Sequence, residues 1–281
     1  MASKELQDFI SYCLQEDVGD GDHSTLASIP EDARGKAKLL VKQPGILAGV
    51  RIASEVFSHV DPNLTVDIRK NDGSEIFAGD IVFFVEGSVH SILRSERLVL
   101  NFMQRMSGIA TSTNEYVRKL SGLKTRVLDT RKTAPGMRIL EKEAVKLGGG
   151  TNHRMGLYDM IMLKDNHIDY AGGITGAILK TVSYLRENKL DLDIEIEARN
   201  LDDVREILRT GMVKRIMLDN FNIGDTREAV KIIGGAFETE SSGGITLGNI
   251  RDYAECGVDF VSVGAITHHL KSLDLSLKAT K

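Results

Sequence analysis

Two groups of cationic residues follow predicted strands in the middle of this chain. Arg131 and Lys132 come directly after the β-rich run RVLDT, at the start of a loop. Adjacent cations at the carboxyl end of a strand can hold an anion, although a solvated surface pair would look the same. His153 and Arg154 follow three glycines at 148–150, where the backbone can approach a ligand closely. Both groups predict a site for an acidic small molecule.

The charge of the chain is unevenly distributed. The 281 residues include 36 Lys and Arg against 40 Asp and Glu, a net charge of −4. Residues 126–167 alone carry eight Lys and Arg against five Asp and Glu, a net charge of +3. The overall charge argues against a surface that seeks nucleic acid or anionic lipid. The cationic segment instead favours a small polyanion as the ligand.

Carboxylates recur at predicted strand ends further along the chain. Glu195 and Glu197 alternate with isoleucines, so both lie on one face of a strand, and Asp219 ends the next strand. Inward-facing carboxylates need cations or a metal, because an unpaired buried charge is costly. The functional interpretation is binding of hydroxyls or Mg²⁺, and the structural alternative is a set of buried salt bridges.

Small residues follow the last two predicted strands. Ser242, Gly243 and Gly244 follow one strand, and Gly264 follows the other. Such residues, when they lead into helix N-termini, form the usual phosphate site of (β/α) barrels. Walker A and Rossmann glycine motifs are absent from the sequence, as are the zinc spacings HxH, HExxH and CxxC.

Parallel strands must position these residues. Six β-rich runs begin near residues 126, 160, 192, 215, 236 and 260, with helical segments between several of them. This repeat indicates βαβ units, and the polar strand ends favour a barrel over a doubly wound sheet. The preceding portion has an amphipathic helix over 4–16, short strands, and a long helix over 93–106. It predicts a separate small α+β domain.

Composition and cysteine usage exclude several protein classes. With 42% hydrophobic residues the chain can bury a core, and it contains no apolar run long enough for a membrane helix. The N-terminus lacks the apolar segment of a signal peptide. Cys13 and Cys256 do not suggest a disulfide framework. We expect a cytoplasmic protein that is neither exported nor inserted. Residues 16–25 resemble a calcium loop only superficially, and a structural turn is the favoured interpretation.

Taken together, these segments resemble the quinolinate phosphoribosyltransferase family over essentially the whole chain. The resemblance rests on EDVGDGDHST, SERLVLNFMQRMSGIAT, DTRKTAPGMRILEKEAVKLGGGTNHRMGLYDMIMLKDNHI, EIEAR, MLDNF, ESSGGI and VSVGAIT. It implies an α/β protein in which an N-terminal α/β sandwich domain, residues 1–112, precedes an incomplete (β/α) barrel domain, residues 113–268. The last segment, 269–281, is expected to pack back on the first domain.

The resemblance also implies an activity. Family members transfer phosphoribosyl from 5-phosphoribosyl-1-pyrophosphate to quinolinate with decarboxylation, giving nicotinate mononucleotide, pyrophosphate and CO₂ in NAD biosynthesis. The implied cofactor is Mg²⁺. The implied assembly is a homodimer with a shared active site, with a hexamer as a larger alternative.

Site residues follow from the same resemblance. The implied substrate-binding residues are Arg97 from the neighbouring subunit, Thr130, Arg131, Lys132, His153, Arg154, Lys164, Glu197, Asp219, Ser242, Gly243, Gly244 and Gly264. The implied catalytic residues are Lys132, Lys164, Glu197 and Asp219. Glu197 and Asp219 would hold ribose hydroxyls and Mg²⁺, the lysines would face pyrophosphate, and the serine and glycines would bind the 5′-phosphate.

Three other functions fit parts of the pattern. A paralogous phosphoribosyltransferase would use a different acceptor, and a non-catalytic sensor of phosphoribosyl metabolites would keep the pocket without turnover. A Schiff-base aldolase would use Lys164 as its nucleophile. The cations Arg97, Arg131, His153 and Arg154 favour a dicarboxylate acceptor. The complete set of implied catalytic residues argues against a sensor, and the cations around Lys164 argue against an aldolase.

Overall fold

The computed structural model describes residues 3–280, which form two compact units. The first unit contains the chain up to Asn114, then Ile139–Gly149, and finally the residues from Leu270 onward. The second contains Glu115–Arg138 and Gly150–His269. The sequence led us to expect residues 1–112 with 269–281 in one domain and 113–268 in the other; the contacts in the structure also group residues 139–149 with the first unit. Their buried Glu141 is paired with Arg105 at 2.5 Å, which the sequence pattern did not indicate.

The described chain contains helices and strands throughout. The elements up to residue 119 are α1 (Ser3–Val18), α2 (His23–Ser28), β1 (Arg34–Val41), β2 (Gly45–Ile46), α3 (Val50–Val60), β3 (Thr65–Ile68), β4 (Glu75–Ile76), β5 (Ile81–Ser88) and α4 (Val89–Lys119). The remaining elements are β6 (Arg126–Leu128), α5 (Arg138–Leu147), β7 (Ile161–Leu163), α6 (Asp165–Ala171), α7 (Ile174–Asn188), β8 (Ile194–Ala198), α8 (Leu201–Thr210), β9 (Arg215–Asp219), α9 (Ile223–Ile233), β10 (Glu238–Ser242), α10 (Ile250–Ala254), β11 (Phe260–Ser262), α11 (Ala265–His268) and β12 (Leu275–Ala279).

The first unit is built on an antiparallel sheet with the strand order β12-β1-β5-β3. Leu39 of β1 lies opposite Leu277 of β12, so the end of the chain completes this sheet. Helix α3 buries one apolar face, and its Phe57 meets Phe83 of β5 edge to face at 5.7 Å. Asp22 caps the short helix α2 by accepting a hydrogen bond from the Thr25 amide. The turn that resembled a calcium loop therefore has a structural role at this position.

The second unit is an incomplete (β/α) barrel. Its six strands are parallel and follow the order β6-β11-β10-β9-β8-β7, so β6 and β7 lie at the two edges of the sheet. All six strands were predicted from the sequence to within a few residues. Parallel strands place their carboxyl ends at one rim, which brings together side chains that are far apart in sequence.

No helix among residues 3–280 is both long enough and apolar enough to cross a membrane.

Candidate active site

A cavity of about 500 Å³ lies in the second unit, at the carboxyl ends of the barrel strands. The predicted site residues that line it are Thr130, Arg131, Lys132, His153, Arg154, Lys164, Glu197, Asp219, Ser242, Gly243 and Gly244. The structure adds Met162, Met217, Asn220, Glu240 and Ser262. The cavity thus combines cations, carboxylates and small residues from all parts of the barrel.

Two predicted site residues are outside this lining. Arg97 is exposed on α4 in the first unit, so its role as a residue of the neighbouring subunit stays a prediction. Gly264 immediately precedes α11, where a Cβ atom would lie 3.1 Å from His268 Nε2 and 3.2 Å from Lys132 Cδ. Lys132 and His268 therefore flank this glycine. His268 was not predicted as a site residue, because it lies in a short helix without a recognisable motif.

The backbone around Lys132 is held on both sides. Its amide donates to Thr130 Oγ1 at 3.0 Å, and its carbonyl accepts from Thr267 Oγ1 at 2.6 Å. The Lys132 side chain is exposed. These contacts fix the loop that follows β6 while leaving the cation available to a ligand.

Arg154 is held at its guanidinium and along its loop. The guanidinium donates to the Met160 carbonyl at 3.2 Å and contacts Met162 Sδ at 3.7 Å. Burial lowers the pKa of Arg154, and the charge of Arg131 lowers it further. Two arginines whose charges act on each other in a partly buried site are an unfavourable arrangement that a bound dianion would relieve.

Lys164 and Glu197 form an ion pair at the rim. Lys164 Nζ donates to Glu197 Oε1, and the Asp165 amide donates to Glu197 Oε2 at 3.1 Å. The Lys164 amide donates to His167 Nδ1 at 3.0 Å, so His167 stabilises the start of α6. Burial raises the pKa of Asp219, and the negative charge of Glu197 raises it further. The two carboxylates therefore lie close enough to repel each other.

The donor set of Glu197 and Asp219 fits a magnesium ion. Carboxylate oxygens are the hard ligands that Mg²⁺ prefers. A divalent cation between them would also remove the repulsion that raises the pKa of Asp219. The arrangement is therefore suited to Mg²⁺ together with a hydroxylated ligand.

The loop after β10 needs glycine for two separate reasons. Gly243 has a φ of +96°, and a Cβ atom on it would lie 2.1 Å from Asn220 Oδ1. Gly244 also has a positive φ, of +62°, but a Cβ atom there would meet nothing within 4 Å. Gly243 is therefore both conformationally and sterically required, and it lines the cavity.

A buried ionic cluster extends from the cavity into the barrel. His153 Nε2 lies 3.0 Å from Glu195 Oε2 and 3.4 Å from Glu240 Oε2. Arg215 Nη1 lies 3.1 Å from the same Glu240 oxygen and 3.6 Å from the same Glu195 oxygen. The sequence predicted that Glu195 faces inward and needs compensation. The compensating groups are His153 and Arg215, and Glu240 is a further carboxylate that the sequence reasoning missed.

The groups of this cluster shift one another's pKa values. Burial alone lowers the pKa of His153, but the hydrogen bonds and charges of Glu195 and Glu240 outweigh it and raise the pKa to about 9. Burial raises the pKa of Glu195 to about 7, and the charge of Glu240 contributes. Burial also acts to raise the pKa of Glu240, but the hydrogen bond and charge of His153 and the charge of Arg215 outweigh it and lower that pKa.

Comparison with known proteins assigns the chain to a family. The family model for the quinolinate phosphoribosyl transferase C-terminal domain matches residues 109–278, and the model for the N-terminal domain matches residues 22–107. A nicotinate-nucleotide pyrophosphorylase (carboxylating) of Arabidopsis thaliana is 45% identical over 98% of this chain and 82% of that protein. A quinolinate phosphoribosyltransferase (decarboxylating) of Nicotiana tabacum is 44% identical with the same coverage.

Solved structures agree with this assignment. NadC from Streptococcus pyogenes superposes with a TM-score of 0.94 at 37% identity, covering 100% of this chain and 99% of that one. The nicotinate-nucleotide pyrophosphorylase of Francisella tularensis has a TM-score of 0.94 at 38% identity, covering 100% and 98% of the two chains. With both domain models, full-length relatives and the same fold in agreement, the chain belongs to the quinolinate phosphoribosyltransferase family.

Proposed function

We propose that this chain transfers the phosphoribosyl group of 5-phosphoribosyl-1-pyrophosphate to quinolinate, with release of pyrophosphate and CO₂. One observation carries the proposal: the cavity places Arg131 and Arg154 in the same space as Glu197 and Asp219. The arginines suit a dicarboxylate, and the carboxylates suit ribose hydroxyls and Mg²⁺. Membership of the family supports the same activity.

The acceptor is proposed to bind through its two carboxylates. Arg131 and Arg154 present guanidinium groups that pair with carboxylates in a planar, two-point arrangement. The family resemblance adds Arg97 of the partner subunit. Met162 and Met217 supply apolar surface in the same cavity, against which an aromatic ring can pack.

The phosphoribosyl donor is proposed to occupy the rest of the cavity. Gly243 and Gly244 allow close approach of backbone amides to the 5′-phosphate, and Glu197 and Asp219 would hold the ribose hydroxyls and Mg²⁺. When bound, Mg²⁺ would neutralise charge on the pyrophosphate. Lys132 and Lys164 would stabilise the same negative charge as it develops on the leaving group.

The reaction then needs mainly orientation and charge stabilisation. The bond from ribose C1 to the pyrophosphate oxygen breaks with development of an oxocarbenium-like centre, and the pyridine nitrogen forms the new bond to C1. The quaternary nitrogen stabilises negative charge at C2 of the ring. The bond to the 2-carboxylate breaks with release of CO₂, and C2 takes up a proton. Arg131 and Arg154 would hold the pyridine ring in the same orientation during both steps.

The assembly and location complete the proposal. We infer a homodimer with a shared active site, because the family resemblance assigns Arg97 to the site of the neighbouring subunit; a hexamer would be a larger arrangement of such dimers. We also infer a cytoplasmic protein, since Cys13 and Cys256 are both free thiols, as is usual in a reducing compartment. Size measurement in solution and imaging of the tagged full chain test these two points.

A comparison of acceptors tests the activity. Purified protein with 5-phosphoribosyl-1-pyrophosphate and Mg²⁺ should release pyrophosphate when quinolinate is added, and should stop when EDTA removes the metal. Turnover of nicotinate instead would indicate a paralogous enzyme with another acceptor. Binding of both substrates without release of pyrophosphate would indicate a sensor. Either result would overturn the proposal.

A further inference from the structure

Three charged residues of the buried cluster, Glu195, Glu240 and Arg215, have no role in the proposed reaction. Glu195 and Glu240 are fully buried, and Arg215 is nearly so. The interior of a parallel barrel is ordinarily filled by branched apolar side chains. Removing such charges from water is expensive, so a cluster of this kind is weak evidence for stability by itself. Its contacts with a residue of the cavity suggest another role.

His153 connects the cluster to the cavity. Its Nε2 atom faces Glu195 and Glu240, while its Nδ1 atom lies 2.6 Å from the amide nitrogen of Arg154. The His153 amide donates to Asp129 Oδ1 at 2.8 Å. The imidazole is therefore held between the barrel interior and the backbone of Arg154. Both ring nitrogens are engaged within the protein, which favours a supporting role for the ring over direct donation to a ligand.

Arg215 supplies a positive charge to the same carboxylates that could ligate a metal ion. His153, Glu195 and Glu240 present ligand atoms within 4.8 Å of one another, as a metal site would. The Arg215 guanidinium already lies 3.1 Å from Glu240 Oε2 and 3.6 Å from Glu195 Oε2, the same oxygens that face His153. Arg215 also stacks on Phe260, with 4.1 Å between the guanidinium carbon and the ring centroid. This packing holds the guanidinium of Arg215 beside the two carboxylates.

We propose that Glu195, Glu240 and Arg215 are positioning residues for acceptor binding, which act through the His153 ring to hold the backbone of Arg154. The inference rests on the proposed function, because it assigns Arg154 to the acceptor carboxylates. The carboxylates fix the ring, the ring packs directly against the amide of Arg154, and Arg215 compensates the charge of the carboxylates. The phosphoribosyl end of the cavity, at Gly243 and Gly244, makes none of these contacts.

Strand β10 offers a matched pair of variants. Glu240 and Glu238 lie on the same face of the strand, and both contact Arg215, Glu238 at 3.1 Å from Nη2. Of the two, Glu240 is the one within 3.4 Å of His153. Glu240→Gln should loosen the ring, whereas Glu238→Gln removes a partner of Arg215 and leaves the ring contacts in place.

Calorimetry with quinolinate and steady-state kinetics with the phosphoribosyl donor test the proposal on the full chain. In Glu240→Gln we expect the quinolinate Kd to rise about tenfold and the KM for 5-phosphoribosyl-1-pyrophosphate to stay within about twofold, with both constants within about twofold in Glu238→Gln. Should Glu240→Gln fail to fold, Glu195→Gln is the second variant, and we expect the same changes in its constants.

Three results would overturn the inference. The first is an unchanged quinolinate Kd in the folded Glu240→Gln and Glu195→Gln proteins. The second is an equal rise of the quinolinate Kd in Glu238→Gln. The third is an equal loss of affinity for both substrates, which would indicate a merely structural cluster. Failure of the wild-type protein to bind quinolinate would instead contradict the proposed function. The two failures are therefore distinguishable.

Discussion

The ammonium group of Lys164 is hydrogen-bonded to the carboxylate of Glu197, across neighbouring strands β7 and β8. The two residues are proposed to bind different parts of the same substrate: Lys164 would contact the pyrophosphate, and Glu197 would contact the ribose hydroxyls and Mg²⁺. In the absence of ligand each neutralises the other. Binding of the donor must therefore exchange this contact for contacts to the ligand, which makes the pair sensitive to substitution.

Replacing Lys164 should reduce turnover strongly. Lys164→Gln removes a cation proposed to stabilise the departing pyrophosphate, and we expect kcat to fall about 10²- to 10³-fold. Steady-state assays with saturating substrates measure this effect. Lys180→Gln is the matched control, because Lys180 is an exposed lysine of α7 that donates to the Ala171 carbonyl. Similar losses in both variants would argue against a specific role for Lys164.

Alanine at Gly243 should impair donor binding more than alanine at Gly244. Both positions have positive φ angles, so both variants bear backbone strain of about 1–3 kcal/mol. A Cβ atom at position 243 additionally collides with Asn220, whereas one at position 244 meets nothing within 4 Å. Thermal unfolding and the KM for 5-phosphoribosyl-1-pyrophosphate measure the two effects. Equal donor KM values in the two variants would contradict the proposed phosphate site.

The stability of the protein should fall as the pH rises through the alkaline range. Its surroundings raise the pKa of His153 from 6.5 to about 9. A raised pKa contributes stability that is fully present below pH 6.5 and is lost as the pH rises through about 9. The shift corresponds to at most about 3 kcal/mol. Denaturant unfolding at a series of pH values should show this decrease, and His153→Gln should flatten it. Equal slopes for both proteins would contradict the assignment.

Mixed dimers should recover activity from two inactive parents. We expect Arg97→Ala and Lys132→Ala each to abolish most activity, because the first removes a cation proposed to act in the neighbouring site and the second removes one within its own. Mixing and refolding the two variants should produce hybrids with one intact site. Activity that stays at the level of the parents would indicate that each site is built within one chain.

The barrel was predictable because its signal is local and repeated. Nearly every strand is a short β-rich run with a polar or charged residue at or next to its carboxyl end, and the period of two along β8 placed Glu195 and Glu197 on the same face. The helix predicted over 93–106 was too short, since α4 extends from Val89 to Lys119. Its last turns lack the strong apolar pattern from which the prediction was made.

The interior of the barrel was less predictable. Glu240 and Arg215 lie on strands whose alternation is compatible with either face pointing inward, so the sequence alone did not show that they meet His153. Residues 139–149 group with the first unit, in which Glu141 pairs with Arg105, a residue 36 positions away. Such long-range pairings produce no periodic pattern in the sequence from which they could be predicted.

The fate of one carboxyl carbon tests the proposed reaction most directly. Quinolinate labelled with ¹³C in its 2-carboxylate is incubated with the enzyme, 5-phosphoribosyl-1-pyrophosphate and Mg²⁺, and labelled CO₂ and pyrophosphate are measured together. We expect equal amounts of both, and unlabelled CO₂ when the label is placed in the 3-carboxylate. Pyrophosphate release without CO₂, or label released from the 3-carboxylate, would contradict the proposed decarboxylating transfer.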